Sequence, residues 1–460
     1  GKGAAPALVI EQGATIMAAG TASKPITFTS AADPKALPKR GLWGGVIVLG
    51  KAPIAGGPTD SIEGLPTGDG IYGGDAADDN SGTMQYVRIW YGGSVIGQNN
   101  EINGLTLGGV GSGTTLDHID IAYNLDDGIE FFGGAARVKY LSVLFCGDDG
   151  IDSDQGWRGK IQYAVVVVGK NGHHALEMDS KTGGDLDSSP RSRPQLYNAL
   201  LIGGSGDPAS VSSDDQVKGI ARLREGTAGE FGNIVLANIP GKAVLHADCG
   251  SETHSNAATN PDDANTLWFS SNNLIVSSND LSTLFESCGG ALSTAKVATS
   301  SGLLLLPSNL DQSSKFMDFR PGVSTSPVYQ NIDAVPADGF FDTVTFKGAM
   351  DKTNWMAGWS ILSEAGKLPA DITGESLSGT ITADKTLSAS TTYLMTGQVF
   401  VKSGATLTIE AGTTIYAYGD DGKGAAPALV IEQGATIMAA GTASKPITFT
   451  SAADPKALPK

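Results

Sequence analysis

Residues 116–168 read LDHIDIAYNLDDGIEFFGGAARVKYLSVLFCGDDGIDSDQGWRGKIQYAVVVV. Three segments of this stretch, 116–123, 138–145 and 161–168, align as one set, and their starts are 22 and 23 residues apart. Residues 84–91, MQYVRIWY, belong to the same set. A polar corner and a second short apolar segment follow each one: 104–107 (GLTL), 128–131 (GIEF), 150–153 (GIDS) and 175–178 (ALEM). Several short strands per step of 20–25 residues predict a parallel β-helix. Each coil is one turn, and like residues stack about 4.8 Å apart in successive coils. The expected fold is all-β: a right-handed parallel β-helix of about 22–24 residues per coil in its middle, with loop insertions and one or two short helices. Val87, Ile119, Leu141 and Ala164 then form an interior column, and Tyr86, His118, Tyr140 and Tyr163 a mostly aromatic one.

Outward from this core the pattern changes. Residues 181–194 and 203–215 are rich in Gly, Ser, Pro and Asp and read as loops projecting from corners. Residues 280–297 carry the best helical spacing in the chain, and 355–363 are a second helix candidate. At the ends a longer regularity appears. Residues 1–39 return unchanged as 422–460, an offset of 421. The chain therefore reads as one period of 421 residues plus the first 39 of the next. The expected domains are a body at 1–365 lacking its first coils, a linker at 366–379, and at 380–460 the first coils of the next copy. Tandem copies in one chain, separate subunits sharing strands and an artefactual duplication all fit the recurrence.

The formal charge is −17; the duplicated window holds four Lys and two acids, so a single period carries −19. Such acidity argues against nucleic acid and anionic membranes as partners and favours solubility or cation binding. No apolar run approaches the roughly 18 residues that a membrane span needs. Of three cysteines, Cys249 and Cys288 lie in Gly-rich surroundings and are the candidate disulfide, with Cys146 left as a buried apolar residue. His246, Cys249 and His254 match no dependable zinc spacing.

The motifs GATLTIEAGTTI (404–415), GTASKPITFTS (20–30), WGGVIVLGKAPI (43–54), EINGLTLGGVGSGT (101–114), YNLDDGIEFFGG (123–134) and FKGAMDKTNWMAGW (346–359) occur as a set. Together they resemble a large family of secreted bacterial right-handed β-helix proteins of the pectin-lyase-like superfamily, common on the surfaces of marine and environmental Gram-negative bacteria. The resemblance covers nearly the whole period. It implies the fold and an extracellular or cell-surface location, and it carries over no catalytic residue. The exact 421-residue recurrence departs from that family.

The strongest chemistry is acidic. Asp126, Asp127 and Glu130 are followed one coil later by Asp148, Asp149, Asp152 and Asp154, and Glu177 and Asp179 fit the coil after. With Ile129 and Ile151 inward, Glu130 and Asp152 point outward on adjacent coils. Stacked carboxylates repel unless a cation or protons neutralise them, and clustered hard oxygens suit Ca²⁺. The bland alternative is a solvated acidic face offset by Arg158, Lys160 or Arg222. Asp75, Asp78 and Asp79 form a weaker loop version of the cluster. Asp117-His118 looks like a lyase pair, but His118 falls in the aromatic column, and Arg158 is the best remaining base, so no catalytic residue is assigned. The reading that results is a structural subunit or tandem repeat of an extracellular filament, associating with itself head to tail because an uncapped coil templates another chain. The alternative is a secreted β-helix that binds or cleaves polysaccharide.

Overall fold

The structure, a computed structural model, describes residues 6–32, 37–65, 68–94, 102–169, 172–181, 186–204, 219–248, 255–257, 266–277, 279, 281–287, 296–298, 316–321, 325–419 and 426–453. Two compact units are present: residues 1–300 with 327–349, and residues 301–326 with 350–460.

In the middle of the first unit each coil contributes a short strand and a long one. The short strands Leu105–Gly108, Ile129–Phe132, Ile151–Asp154 and Leu176–Met178 pair side by side, all parallel. The long strands Gly82–Trp90, Thr115–Ala122, Arg137–Leu144, Lys160–Val167 and Gln195–Ile202 form the second sheet, also parallel. The registers reproduce the columns of the sequence: Val87 faces Ile119, Ile119 faces Leu141, and Leu141 faces Ala164. All four are fully buried in one continuous core. The fold is thus a parallel β-helix, driven by stacking identical apolar faces that no single coil buries alone.

The aromatic column has a backbone cause that the sequence did not suggest. Tyr86, His118, Tyr140 and Tyr163 all adopt positive φ, between 49° and 64°. Each left-handed residue breaks its long strand in two, so that residues on both sides of it, such as Val138 and Leu141, point inward. The rings stack face to face at 4.2, 4.3 and 4.8 Å between centroids. In the next two coils the column becomes Asn198 and Asn233, residues that enter this region readily. Their amides donate to the carbonyls of Phe346 and Asp333, holding the segment that returns along the unit. Tyr140→Asn is therefore expected to keep the backbone and lose two ring contacts, costing about 1–3 kcal/mol. A lower urea midpoint with an unchanged slope would show this; an unchanged midpoint would deny the ladder any weight.

Close coil contact explains one glycine column. A Cβ on Gly128 would lie 2.1 Å from Val143 Cγ1, and one on Gly150 2.4 Å from Val166 Cγ1. The helix expectations contract to single turns, Leu281–Leu284 and Ile361–Glu364, the latter capped by Ser360. Cys249 and Cys288, the candidate disulfide, and His254 lie outside the described residues; Cys146 is buried and free.

The second unit is also built of parallel coils. Tyr393–Val401, Thr406–Ile409 and Thr414–Ala417 bury Val399, Val401, Leu407, Ile409 and Ile415. Its first strand, Glu375–Ile381, pairs with Tyr393–Val401. Part of the expected 366–379 linker is therefore a strand, not a tether, and 350–365 groups with this unit rather than with the body. That strand buries only Leu377 and Ile381, so a solvated terminal coil reads as polar linker sequence.

Both copies of the duplicated sequence fold as a coil. The first, Leu8–Ile10, Ile16–Ala19 and Ile26–Phe28, pairs forward with Val46–Leu49 and Gly82–Trp90. The second, Leu429–Ile431, Thr436–Ala439 and Thr448–Ser451, pairs backward with Tyr393–Val401, Thr406–Ile409 and Thr414–Ala417.

Candidate metal centre

The coil-to-coil registers line up the segments Asp126–Glu130, Asp148–Asp152 and His173–Glu177 as three rungs, with Arg222 on a fourth. Outward from the short-strand sheet run Glu130, Asp152, Glu177 and Arg222 in one column, and Asp154, Asp179 and Arg224 in the next. Just before the strands stand Asp126, Asp148 and His173 in one column and Asp127, Asp149 and His174 in another. The ladder therefore begins all-acidic, takes on imidazoles, and ends on arginines.

Seven of the nine residues expected as ligands line one cleft of about 390 Å³: Asp126, Asp127, Glu130, Asp148, Asp149, Asp152 and Glu177. Glu63, His173, His174, Arg222 and Arg224 complete its wall. Asp154 and Asp179 do not line it. Asp179 is held instead by Arg224, whose Nε donates to both carboxylate oxygens at 2.9 Å. Of the counter-charges considered from sequence, Arg222 contacts Glu177 at 3.0 Å. Arg158 hydrogen-bonds the Arg191 carbonyl and Lys160 pairs with Asp338.

The inner carboxylates are also coil fasteners. Asp127 Oδ1 accepts the Asp149 N–H at 2.8 Å, and Asp149 Oδ1 accepts the His174 N–H at 2.6 Å and contacts His174 Nδ1 at 2.9 Å. His173 pairs with Asp148. The second rung thus meets imidazoles, and on the third Glu177 meets Arg222 and Arg224. Among the described residues, the triple Asp127, Glu130 and Asp152 has no basic partner; Glu130 accepts from the Asn103 amide. Ligand atoms of this triple lie within 4.8 Å of one another, as do those of Asp126/Asp127/Asp148, Asp148/Asp149/His173 and Asp149/His174/Glu177. Asp152 Oδ1 and His174 Nε2 are buried without a hydrogen-bond partner, which a cation would supply for the carboxylate.

Electrostatics follows the geometry. Burial, reinforced by neighbouring acids, raises the carboxyls of Asp127, Glu130 and Asp152 well above their ordinary range. Burial also lifts Glu177 to about 9, with Asp149 and Asp179 adding to it and Arg224 and Arg222 opposing. Asp179 is raised to about 7 by burial against the pull of Arg224. Asp149 goes the other way: burial opposes its charge, but His174 outweighs burial and lowers it. The arrangement suits a hard divalent cation, which ionises such carboxyls by direct coordination.

His173 and His174 belong to the cleft although their adjacency alone signals no metal site in the sequence. Placing HHALEMD (173–179) under DDGIDSD (148–154) was the available signal, and the step of 25 rather than 22 obscured it. Asp117 and His118 lie on the long-strand sheet, away from the cleft lining, with His118 stacked in the aromatic ladder.

A family model described as a pectate-lyase-like beta helix domain matches residues 1–296 and 379–458. Comparison with curated proteins and with solved structures gave no match.

Proposed function

Because the chain belongs to the family of pectate-lyase-like β-helix domains, a scaffold that hosts varied functions, we propose that it serves as a structural element of an extracellular β-helix array, its copies following one another head to tail and its acidic ladder taking up Ca²⁺. The observation that carries this reading is the unchanged return of residues 1–39 at 422–460, with both copies folded as solenoid coils. A solenoid grows by adding coils, so a sequence that repeats with one whole period describes an object that continues. The acidic composition suits a hydrated surface environment in which calcium is plentiful. No described helix is long and apolar enough to cross a membrane.

The rival reading is a protein that binds or cleaves an extracellular polysaccharide. The charge of the cleft weighs against acidic glycans. Eight carboxylates line it, and its two arginines are engaged with Glu177 and Asp179. Electron microscopy of the purified protein is expected to show fibres with a regular axial repeat. Isolated particles at every concentration would sink the array reading. Unsaturated uronate released from an acidic polysaccharide would establish the rival.

A further inference from the structure

The duplicated coil shows its two edges separately. In the first copy one edge is paired, with residues 46–90; in the second copy the opposite edge is paired, with residues 393–417. Since the two sequences are identical, the pairings can be superposed through the offset of 421, and the columns they generate are straight. Val399 faces Leu429, the counterpart of Leu8, which faces Val46. Val401, Ile431/Ile10 and Val48 follow, then Ile409, Ala439/Ala18 and Met84. Ile415, Phe449/Phe28 and Ile89 complete the set. Each of these four columns stays apolar across the shared coil. A slip of one residue would turn each of these side chains outward.

Exposure says the same. Ile16 is 9% exposed beneath the coil that follows it, whereas its counterpart Ile437 is 40% exposed and Phe449 50%. The second copy thus presents the apolar core edge that residues 46–90 cover in the first.

Resting on the array reading, we infer that the joint between copies is this one coil, shared: residues 393–417 of one copy lie on one side of it and residues 46–90 of a second copy of this chain on the other. The partner is another copy because its strands Val46–Leu49 and Gly82–Trp90 are the ones that already pair with this same coil sequence. The same strands and edges serve whether copies are covalently continuous or separate.

Cross-linking in the full chain tests the joint. Met17 faces Thr83 in the first copy, and Met438 is the counterpart of Met17. Neighbouring parallel strands place such paired Cα atoms within disulfide range. The full chain would carry Cys249→Ser, Cys288→Ser, Thr83→Cys and Met438→Cys. Adding Ile16→Asp puts a charge in the inward column of the first copy and frees the 46–90 edge. Oxidation is then expected to give a ladder of disulfide-linked multimers, at least tenfold stronger than when Ile437→Asp is also introduced. Far-UV circular dichroism and a cooperative melt would check that each variant folds; a variant that fails is replaced by Ala18→Asp, paired with Ala439→Asp. Three results overturn the shared coil: no cross-link in folded protein, a cross-link only within one chain, or a cross-link from Met438→Cys to Met17→Cys in place of Thr83→Cys, which would mean two duplicated coils stacked on each other. Fibres seen by microscopy in any of these cases would leave the array standing and reject the joint alone. Particles without fibres would reject the array itself.

Discussion

In a chelating buffer the protein is expected to lose stability as the pH rises from 5 to 9, with a fall in melting temperature of about 5–10 °C. This is opposite in sign to the ordinary behaviour of paired acids. A carboxyl raised in the folded state holds its proton where the unfolded chain has lost it. Its contribution to stability is fully present below the unfolded value, near 4, and disappears as the pH climbs through the folded value. Asp127, Glu130 and Asp152 are raised by burial and by one another, Glu177 to about 9 and Asp179 to about 7. Asp149 is lowered, so its contribution is lost only on acidification, below this window. A loss of roughly 2–3 kcal/mol, at about 2–4 °C per kcal/mol for units of this size, gives the stated shift. Calcium should reverse it. At a hundred times its dissociation constant a ligand specific for the folded state adds about 2.7 kcal/mol. The addition should be large at pH 9 and small at pH 5, where protons occupy the same oxygens. Differential scanning calorimetry with EDTA and with millimolar Ca²⁺ at both pH values reads all four numbers. Stability that rises with pH in chelator, or a calcium effect equal at both pH values, would remove the cation from the cleft.

The solenoid was legible because a coil repeats its environment. Val87, Ile119, Leu141 and Ala164 recur at nearly constant spacing and so meet in space, and residues 116–168 alone fix the step. What escaped was conformational. Nothing in Tyr86, Tyr140 or Tyr163 announces a left-handed backbone, since bulky residues seldom adopt it; the ring stacking that accompanies it forms only across coils. The polar strand Glu375–Ile381 escaped for a different reason. A terminal coil wets most of its side chains, and wet strand and linker have the same composition.

The site was legible where the step was constant. Asp126–Glu130 and Asp148–Asp152 lie 22 residues apart and stack as read. The next rung comes after 25 residues, and the one carrying Arg222 and Arg224 after 45 more. Over such insertions sequence spacing carries no register. The arginines that face Glu177 and Asp179 therefore had no visible place, nor did the ion pair between Asp179 and Arg224. The role of Asp127 and Asp149 as acceptors for the next coil's amide also depends on register, and only the folded backbone reveals it.

Arg224→Met is expected to cost about 3–5 kcal/mol at pH 8 and only about 1 kcal/mol at pH 5. Arg224 grips Asp179 through Nε and Nη2, the latter at 2.8 Å, and Nη2 lies 3.5 Å from Glu177. Asp179 is almost wholly buried and Glu177 nearly so. Removing one partner of a buried pair leaves a charge without compensation, which is where the larger figure comes from. At pH 5 that charge does not exist. Asp179, raised to about 7 even with the arginine present, and Glu177, raised to about 9, are both protonated there. The substitution then loses only hydrogen bonds between a charged donor and neutral carboxylic acids, while methionine retains the packing of the stem. The dependence on pH separates an electrostatic role from a merely structural one, because lost packing costs the same at both values. Urea titrations of the variant and the parent chain at pH 5 and pH 8 measure the difference. Equal penalties would show that the arginine rung closes the acidic ladder by shape rather than by charge.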